Sequence, residues 1–182
     1  MYKRQVYTNY PTAELFINGK SYGKQSKNNS SLKNRYRLMW MDAVYEPGEV
    51  KVVAYNKEGK AVAEKVVRTA GKPHHIELVS NRNELTADGK DLAYVTVKVV
   101  DKDGNLCPTD NRQINFSAKG TGKYRAAANG DPTNLEQFHL PKMHAFNGML
   151  TAIIQAGETA GEIVFTAKAN GVKAGNIRIQ TK

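Results

Sequence analysis

The sequence predicts an all-β protein made of two tandem antiparallel sandwiches. Three observations point there. Short runs alternate apolar and polar residues with a period of two; Asn-Gly, Pro-Gly and Asp-Gly turn signals separate them at close intervals; and apolar residues at helical spacing are almost absent.

The runs fall in order. Met1-Tyr2-Lys3-Arg4 leads straight into Gln5-Val6-Tyr7, which reads as a strand. A start inside a strand, with no signal peptide ahead of it, is expected of a piece of a longer chain. Ala13-Glu14-Leu15-Phe16-Ile17 and Lys20-Ser21-Tyr22-Gly23 flank Asn18-Gly19, a strong hairpin signal because both turn positions need positive φ. Glu46-Pro47-Gly48 marks a turn before Glu49–Tyr55, where Val50, Val52 and Ala54 share a face. Asn56-Lys57-Glu58-Gly59 turns the chain into Ala61–Val67, a second hairpin. Gly71-Lys72-Pro73 then reads as a junction, dividing the chain into 1–72 and 73–182.

Beyond it, His75–Leu78 and Tyr94–Val100 read as strands, the latter with Val95, Val97 and Val99 facing one way. Gln113–Ala118, Met149–Ile154, Glu162–Ala167 and Asn176–Ile179 continue the pattern. Each unit therefore reads as a sandwich of immunoglobulin-like size. The first is short for an independent core.

Composition narrows the function classes. Hydrophobic content of 40% with 24% charged residues is that of a globular chain. No run of eighteen apolar residues is present, so membrane insertion is not expected. The net charge of +10 is uneven: residues 1–72 hold 14 Lys+Arg against 6 Asp+Glu, and residues 73–182 hold 13 against 11. Lys20, Lys24, Lys27, Lys33, Arg35 and Arg37 fall in one stretch without an acid, a candidate stripe for acidic ligands whose plainer reading is a solvated surface. No nucleic-acid motif accompanies it, so nucleic acid is not an expected partner. Cys107 is the single cysteine; it forms no intrachain disulfide and reads as a small buried apolar residue. No cofactor is expected.

One stretch differs from its surroundings. Asn129–Gly148 holds Asp131, Glu136, His139 and His144 between two Asn-Gly pairs. Asp131 followed by Pro132 can cap a helical turn, and Thr133-x-x-Glu136 fits a capping box that would assign Glu136 to a backbone amide. Pro141 would stop that turn, and Phe138, Leu140, Met143 and Phe146 would pin the loop by their apolar side chains. The chemical readings are weaker. His139 and His144 do not have zinc spacing. Asp131 and Glu136 as a glycosidase pair would need a deep cleft and a separation of about 5–9 Å. Asp101-Lys102-Asp103-Gly104-Asn105 opens like an EF-hand loop, but Arg112 stands at the twelfth position, so it reads as a turn and no metal site is assigned.

A family resemblance rests on two sets of segments. Val6-Tyr7-Thr8-Asn9, AELFINGKSYGK from Ala13, Trp40, YEPGEVKVVAYNKEGK from Tyr45 and Arg68-Thr69-Ala70-Gly71 resemble the small immunoglobulin-like domain that follows the catalytic barrel in glycoside hydrolase family 2 enzymes of the β-galactosidase type. ELTADGKDLAYVTVKVVDKDGN from Glu84, Asn129-Gly130-Asp131-Pro132 and Ala145-Phe146-Asn147-Gly148 resemble the next C-terminal sandwich. The resemblance implies a periplasmic or secreted parent that cleaves terminal β-linked sugars. It also implies that the parent's general acid and nucleophile are glutamates on a TIM barrel of about 250 residues. No glutamate here matches those motifs, so this segment is not expected to be an enzyme. Its expected partner is the catalytic domain of its own chain.

A carbohydrate-binding module is the competing reading. Tyr22, Tyr36, Trp40 and Tyr45 cluster in the first unit as candidate sugar-stacking residues, although Trp40, the sole tryptophan, suits a core plug better. Binding of an acidic glycan through the basic stripe is a third reading, marked by affinity that falls with salt.

Overall fold

The Asn18-Gly19 signal forms the turn it predicts. The computed structural model describes residues 4–182, and Met1, Tyr2 and Lys3 lie outside the described residues. Asn18 (φ 48°) and Gly19 (φ 80°) both take positive φ and join β2 (Thr12–Ile17) to β3 (Lys20–Ser26). The Asn18 side chain does further work: its Oδ1 accepts from the Glu49 amide at 2.8 Å and its Nδ2 donates to the Pro47 carbonyl at 3.1 Å.

The chain divides into two compact units, Met1–Thr69 and Ala70–Lys182. The division falls just ahead of the expected junction at Lys72-Pro73. Asp101 supplies a reason, because its carboxylate accepts from the Gly71 amide at 2.8 Å and draws that residue into the second unit.

The first unit holds β1 (Arg4–Val6), β2, β3, β4 (Leu38–Trp40), β5 (Glu49–Tyr55) and β6 (Ala61–Arg68). One sheet runs β3-β2-β5-β6, and β1 pairs antiparallel with β4, Val6 opposite Leu38 and Arg4 opposite Trp40. Alternation along β2 buries Ala13, Leu15 and Ile17. Leu38, Trp40, Ala43 and Ala54 complete the core, with Val6, Tyr22, Val50 and Val52 packed against it.

The second unit holds β7 (His75–Ser80), β8 (Glu84–Leu85), β9 (Leu92–Val100), β10 (Gln113–Gly120), β11 (Gly122–Ala128), β12 (Lys142–His144), β13 (Met149–Ala156), β14 (Gly161–Lys168) and β15 (Gly175–Thr181). The sheets are β12-β10-β14-β15-β8 and β11-β13-β9-β7. All pairs are antiparallel except β15 with the two-residue β8. Val95, Val97 and Val99 of β9 are fully buried, as are Ile154 of β13 and Ile163 and Phe165 of β14. Phe116 stacks on Tyr124 and Phe165 with ring centroids 5.4 and 6.0 Å apart. The described residues contain no helix, and both units are β-sandwiches.

Candidate functional site

In the unusual Asn129–Gly148 stretch the expected helical turn does not form. Asp131 folds back on its own neighbours: its Oδ1 accepts from the Thr133 amide at 2.9 Å and from the Thr133 hydroxyl at 2.8 Å. Glu136 does not cap a backbone turn at Thr133. Its carboxylate reaches His144, accepting from the amide at 3.1 Å and meeting Nδ1 at 3.0 Å. A tertiary partner at the edge strand thus outcompetes the local capping pattern. Burial pushes the Glu136 carboxyl up, but the His144 hydrogen bonds and nearby charge outweigh it and hold the group below its usual range. The loop is pinned by Met143, which is fully buried, and not by Phe138, which is 56% exposed. The Tyr124 hydroxyl ties the loop down by donating to the Leu140 carbonyl (2.8 Å), with the Phe138 carbonyl also within reach (3.1 Å), and burial raises its pKa to about 12.

The Asp101 loop is a closed turn. Its carboxylate accepts from the amides of Gly71, Asp103 and Asn105 and from the Asn105 side chain, at 2.8–3.0 Å for the shortest contact with each. These donors, the Gly71 amide first, hold the carboxyl far below the usual range against the opposing effect of burial. Its lone pairs are spent on protein donors. No cluster of three or more His, Cys, Asp or Glu able to hold a metal occurs among the described residues. Cys107 is buried at 3% exposure, and burial pushes its thiol up.

The aromatic candidates separate. Trp40 is 1% exposed, and its Nε1 donates to the Gly23 carbonyl at 2.9 Å. It is a core residue, which removes it from any sugar-stacking surface. Tyr22 packs half-buried against the same core. Tyr45 is about half exposed, and its hydroxyl shares a hydrogen bond with Thr69 Oγ1. Tyr36 stands out at 65% exposed.

The basic candidates separate as well. Lys20 and Lys24 lie along β3 over the rings of Tyr22 (5.6 Å) and Tyr55 (3.9 Å). Lys33 is exposed on the loop before β4. Arg37 borders a small hollow of about 170 Å³ with Ser26 and Asn34. Lys27 and Arg35 face a larger cleft. The six residues are therefore spread over several surroundings.

That larger cleft, about 520 Å³, is lined by Tyr7, Thr8, Asn9, Lys27, Arg35 and Tyr36. One wall is the segment after β1. Alternation turns Val6 toward the core and leaves Tyr7 outside, 65% exposed. The other wall is the loop from β3 to β4, which is held by its own backbone: the Arg35 amide donates to Ser31 O at 3.0 Å and the Asn28 amide to Asn34 O at 3.2 Å. The walls are tied by β1–β4 pairing, by Lys27 N to Pro11 O at 2.8 Å, and by the Lys27 ammonium donating to the Thr8 carbonyl. Arg35 donates from one terminal nitrogen to Asn29 O at 3.1 Å and lies 5.6 Å from the Tyr36 ring centroid. Its Nε is buried without an acceptor. Neither Lys27 nor Arg35 pairs with a carboxylate among the described residues. Sequence reasoning named Lys27, Arg35 and Tyr36 but missed Tyr7, Thr8 and Asn9. The cleft joins segments separated by two strands, and no local pattern announces that meeting.

Comparison with known proteins agrees with this architecture. Residues 76–178 match the family model for the glycoside hydrolase family 2 C-terminal domain 5, and residues 5–63 match DUF4982, a domain of unknown function. The β-galactosidase BoGH2A of Bacteroides ovatus is 40% identical over 97% of this chain, which spans 20% of that protein. A β-galactosidase of Thermoanaerobacter pseudethanolicus is 30% identical over 99% of the chain and 24% of its own length. The crystal structure of a family 2 member from Bacteroides cellulosilyticus superposes with a TM-score of 0.88 at 33% identity, covering 99% of this chain and 23% of that one. The chain thus spans between a fifth and a quarter of these three proteins. It belongs to glycoside hydrolase family 2, as the C-terminal accessory region of that family.

Proposed function

We propose that the chain is the non-catalytic C-terminal part of an exported, β-galactosidase-type glycoside hydrolase, where it supports and spaces the catalytic barrel. The observation that carries this reading is the 40% identity running along 97% of the chain but only 20% of a β-galactosidase.

The partner in this reading is the parent's own catalytic domain. The parent's site of action is periplasmic or extracellular. The test is an aryl β-galactoside assay on the parent protein, on the parent lacking this region, and on the 182-residue chain alone. The parent is expected to turn over the substrate, the truncated form to lose heat stability, and the chain to be inert. Hydrolysis by the chain alone would overturn the reading.

A further inference from the structure

We propose that the cleft between Tyr7-Thr8-Asn9 and the Lys27–Tyr36 loop binds an acidic sugar unit of a glycan, its ring against Tyr7 and Tyr36 and its carboxylate held by Arg35 beside Lys27. The proposal goes beyond an accessory role and does not depend on which linkage the parent cleaves.

Four features converge on that chemistry. Tyr7 and Tyr36 line a concavity yet are each 65% exposed. Rings that serve a core are covered by their own unit, as Trp40 is. An aromatic ring that stays open at a polar cleft presents an apolar face and a hydroxyl together, which suits a ligand with apolar and polar faces. Second, Lys27 and Arg35 bring two positive charges to the cleft, whose lining contains no acid. Arg35 spends one terminal nitrogen on Asn29 and keeps its Nε buried, while its other terminal nitrogen has no protein acceptor among the described residues. A guanidinium terminal nitrogen with a free donor holds a carboxylate oxygen by a charge-assisted hydrogen bond. Third, Thr8 and Asn9 add neutral polar groups suited to hydroxyls. Fourth, the volume of about 520 Å³ lies within the range of about 300–1,000 Å³ usual for small-ligand sites.

The distribution of charge disfavours a nucleic acid. A phosphate backbone is followed by a track of cations. Here Lys20 and Lys24 are stacked on other rings and Arg37 borders a separate hollow, so only two cations serve the cleft.

The test is calorimetric titration of the 182-residue chain with four probes at moderate salt: tetragalacturonate, a neutral galactotetraose, dextran sulfate and a single-stranded oligothymidine. Saturable binding of tetragalacturonate is expected, at least ten-fold tighter than the neutral sugar. Tyr7→Ala and Tyr36→Ala should each weaken it about five- to ten-fold. Arg35→Gln should weaken it ten-fold or more, and Arg35→Lys should restore part of the loss. Unchanged Trp40 fluorescence in each variant certifies the fold. Absence of saturable uronate binding overturns the proposal. So does binding of dextran sulfate or oligothymidine as tight as that of tetragalacturonate, or indifference to the tyrosine substitutions. None of these outcomes bears on the parent's catalysis, so this proposal and the accessory reading fail separately.

Discussion

The two sandwiches differ most in how much core each owns. The second gathers a cluster of twenty buried residues between two full sheets; the first has seven among its described residues, between a four-stranded sheet and a two-stranded pair. The second fixes its irregular segments with buried or half-buried polar hubs: Asp101, the Asp110–Arg112 pair and Tyr124. The first leaves its longest irregular segment, between β3 and β4, bonded mainly to itself and bordered by open aromatic rings. A large core lets a loop be purely structural. A small core concentrates stability in a few side chains and leaves surface free for recognition.

The largest expected effect tests that concentration. Trp40→Ala should cost about 3–5 kcal/mol, a large share of the stability of a small unit. The first unit is expected to lose its thermal transition, followed by circular dichroism, while the transition of the second remains. In the native chain, Trp40 fluorescence should report a lower denaturant midpoint than the circular dichroism of the whole chain. Coincident midpoints would show that core size does not rank the two units.

Gly148→Ala should come next. Gly148 has φ 76°, and an added Cβ would lie 2.3 Å from the Cys107 carbonyl oxygen. Such strain costs of order 1–3 kcal/mol, and it should lower the second transition and spare the first. A shift in the first transition instead would break the assignment.

Acid should also separate the units. The folded-state pKa of Asp101, Asp110 and Glu136 is depressed. Their contribution is therefore complete above the unfolded carboxylate values of about 3.9–4.3, and it fades as pH falls through the lower folded values. Among its described residues the first unit has one such group, Glu14, held down chiefly by Ser21. Between neutral pH and about pH 3, the second unit should lose more of its stability than the first. Asp101→Asn should lower the second transition at pH 7, and its difference from the native chain should narrow below about pH 4.

The smallest effect is expected at Glu136→Gln. The Glu136–His144 pair is partly exposed, with side-chain exposures of 31% and 53%, and such pairs contribute no more than about 1 kcal/mol. A shift near that limit, seen only in the second transition, is the expected result. A larger one would make the loop a keystone of the sandwich.

Strands that alternate cleanly were legible from sequence. Val95, Val97 and Val99 and the Asn18-Gly19 hairpin needed only local pattern. The hidden elements each have a physical reason. β11 breaks its own period, because its pairing with β13 shifts register between Tyr124 and Ala126. β4 and β12 have only three residues each, too few to show a period, and β12 follows Pro141. The Thr133-x-x-Glu136 pattern was a sound local signal that a tertiary partner, His144, overruled. The cleft was half legible for the same reason: composition marks basic and aromatic residues, but only the pairing of β1 with β4 brings Tyr7 to Tyr36.

The burial of Cys107 makes the chain an instrument for measuring itself. Its thiol lies in the second core, out of reach of a labelling reagent while that core is closed. The rate at which such a reagent modifies it therefore counts openings of the second sandwich, with no engineered residue. With the indole as an optical channel for the first sandwich, a single sample of native sequence yields two clocks, one per core.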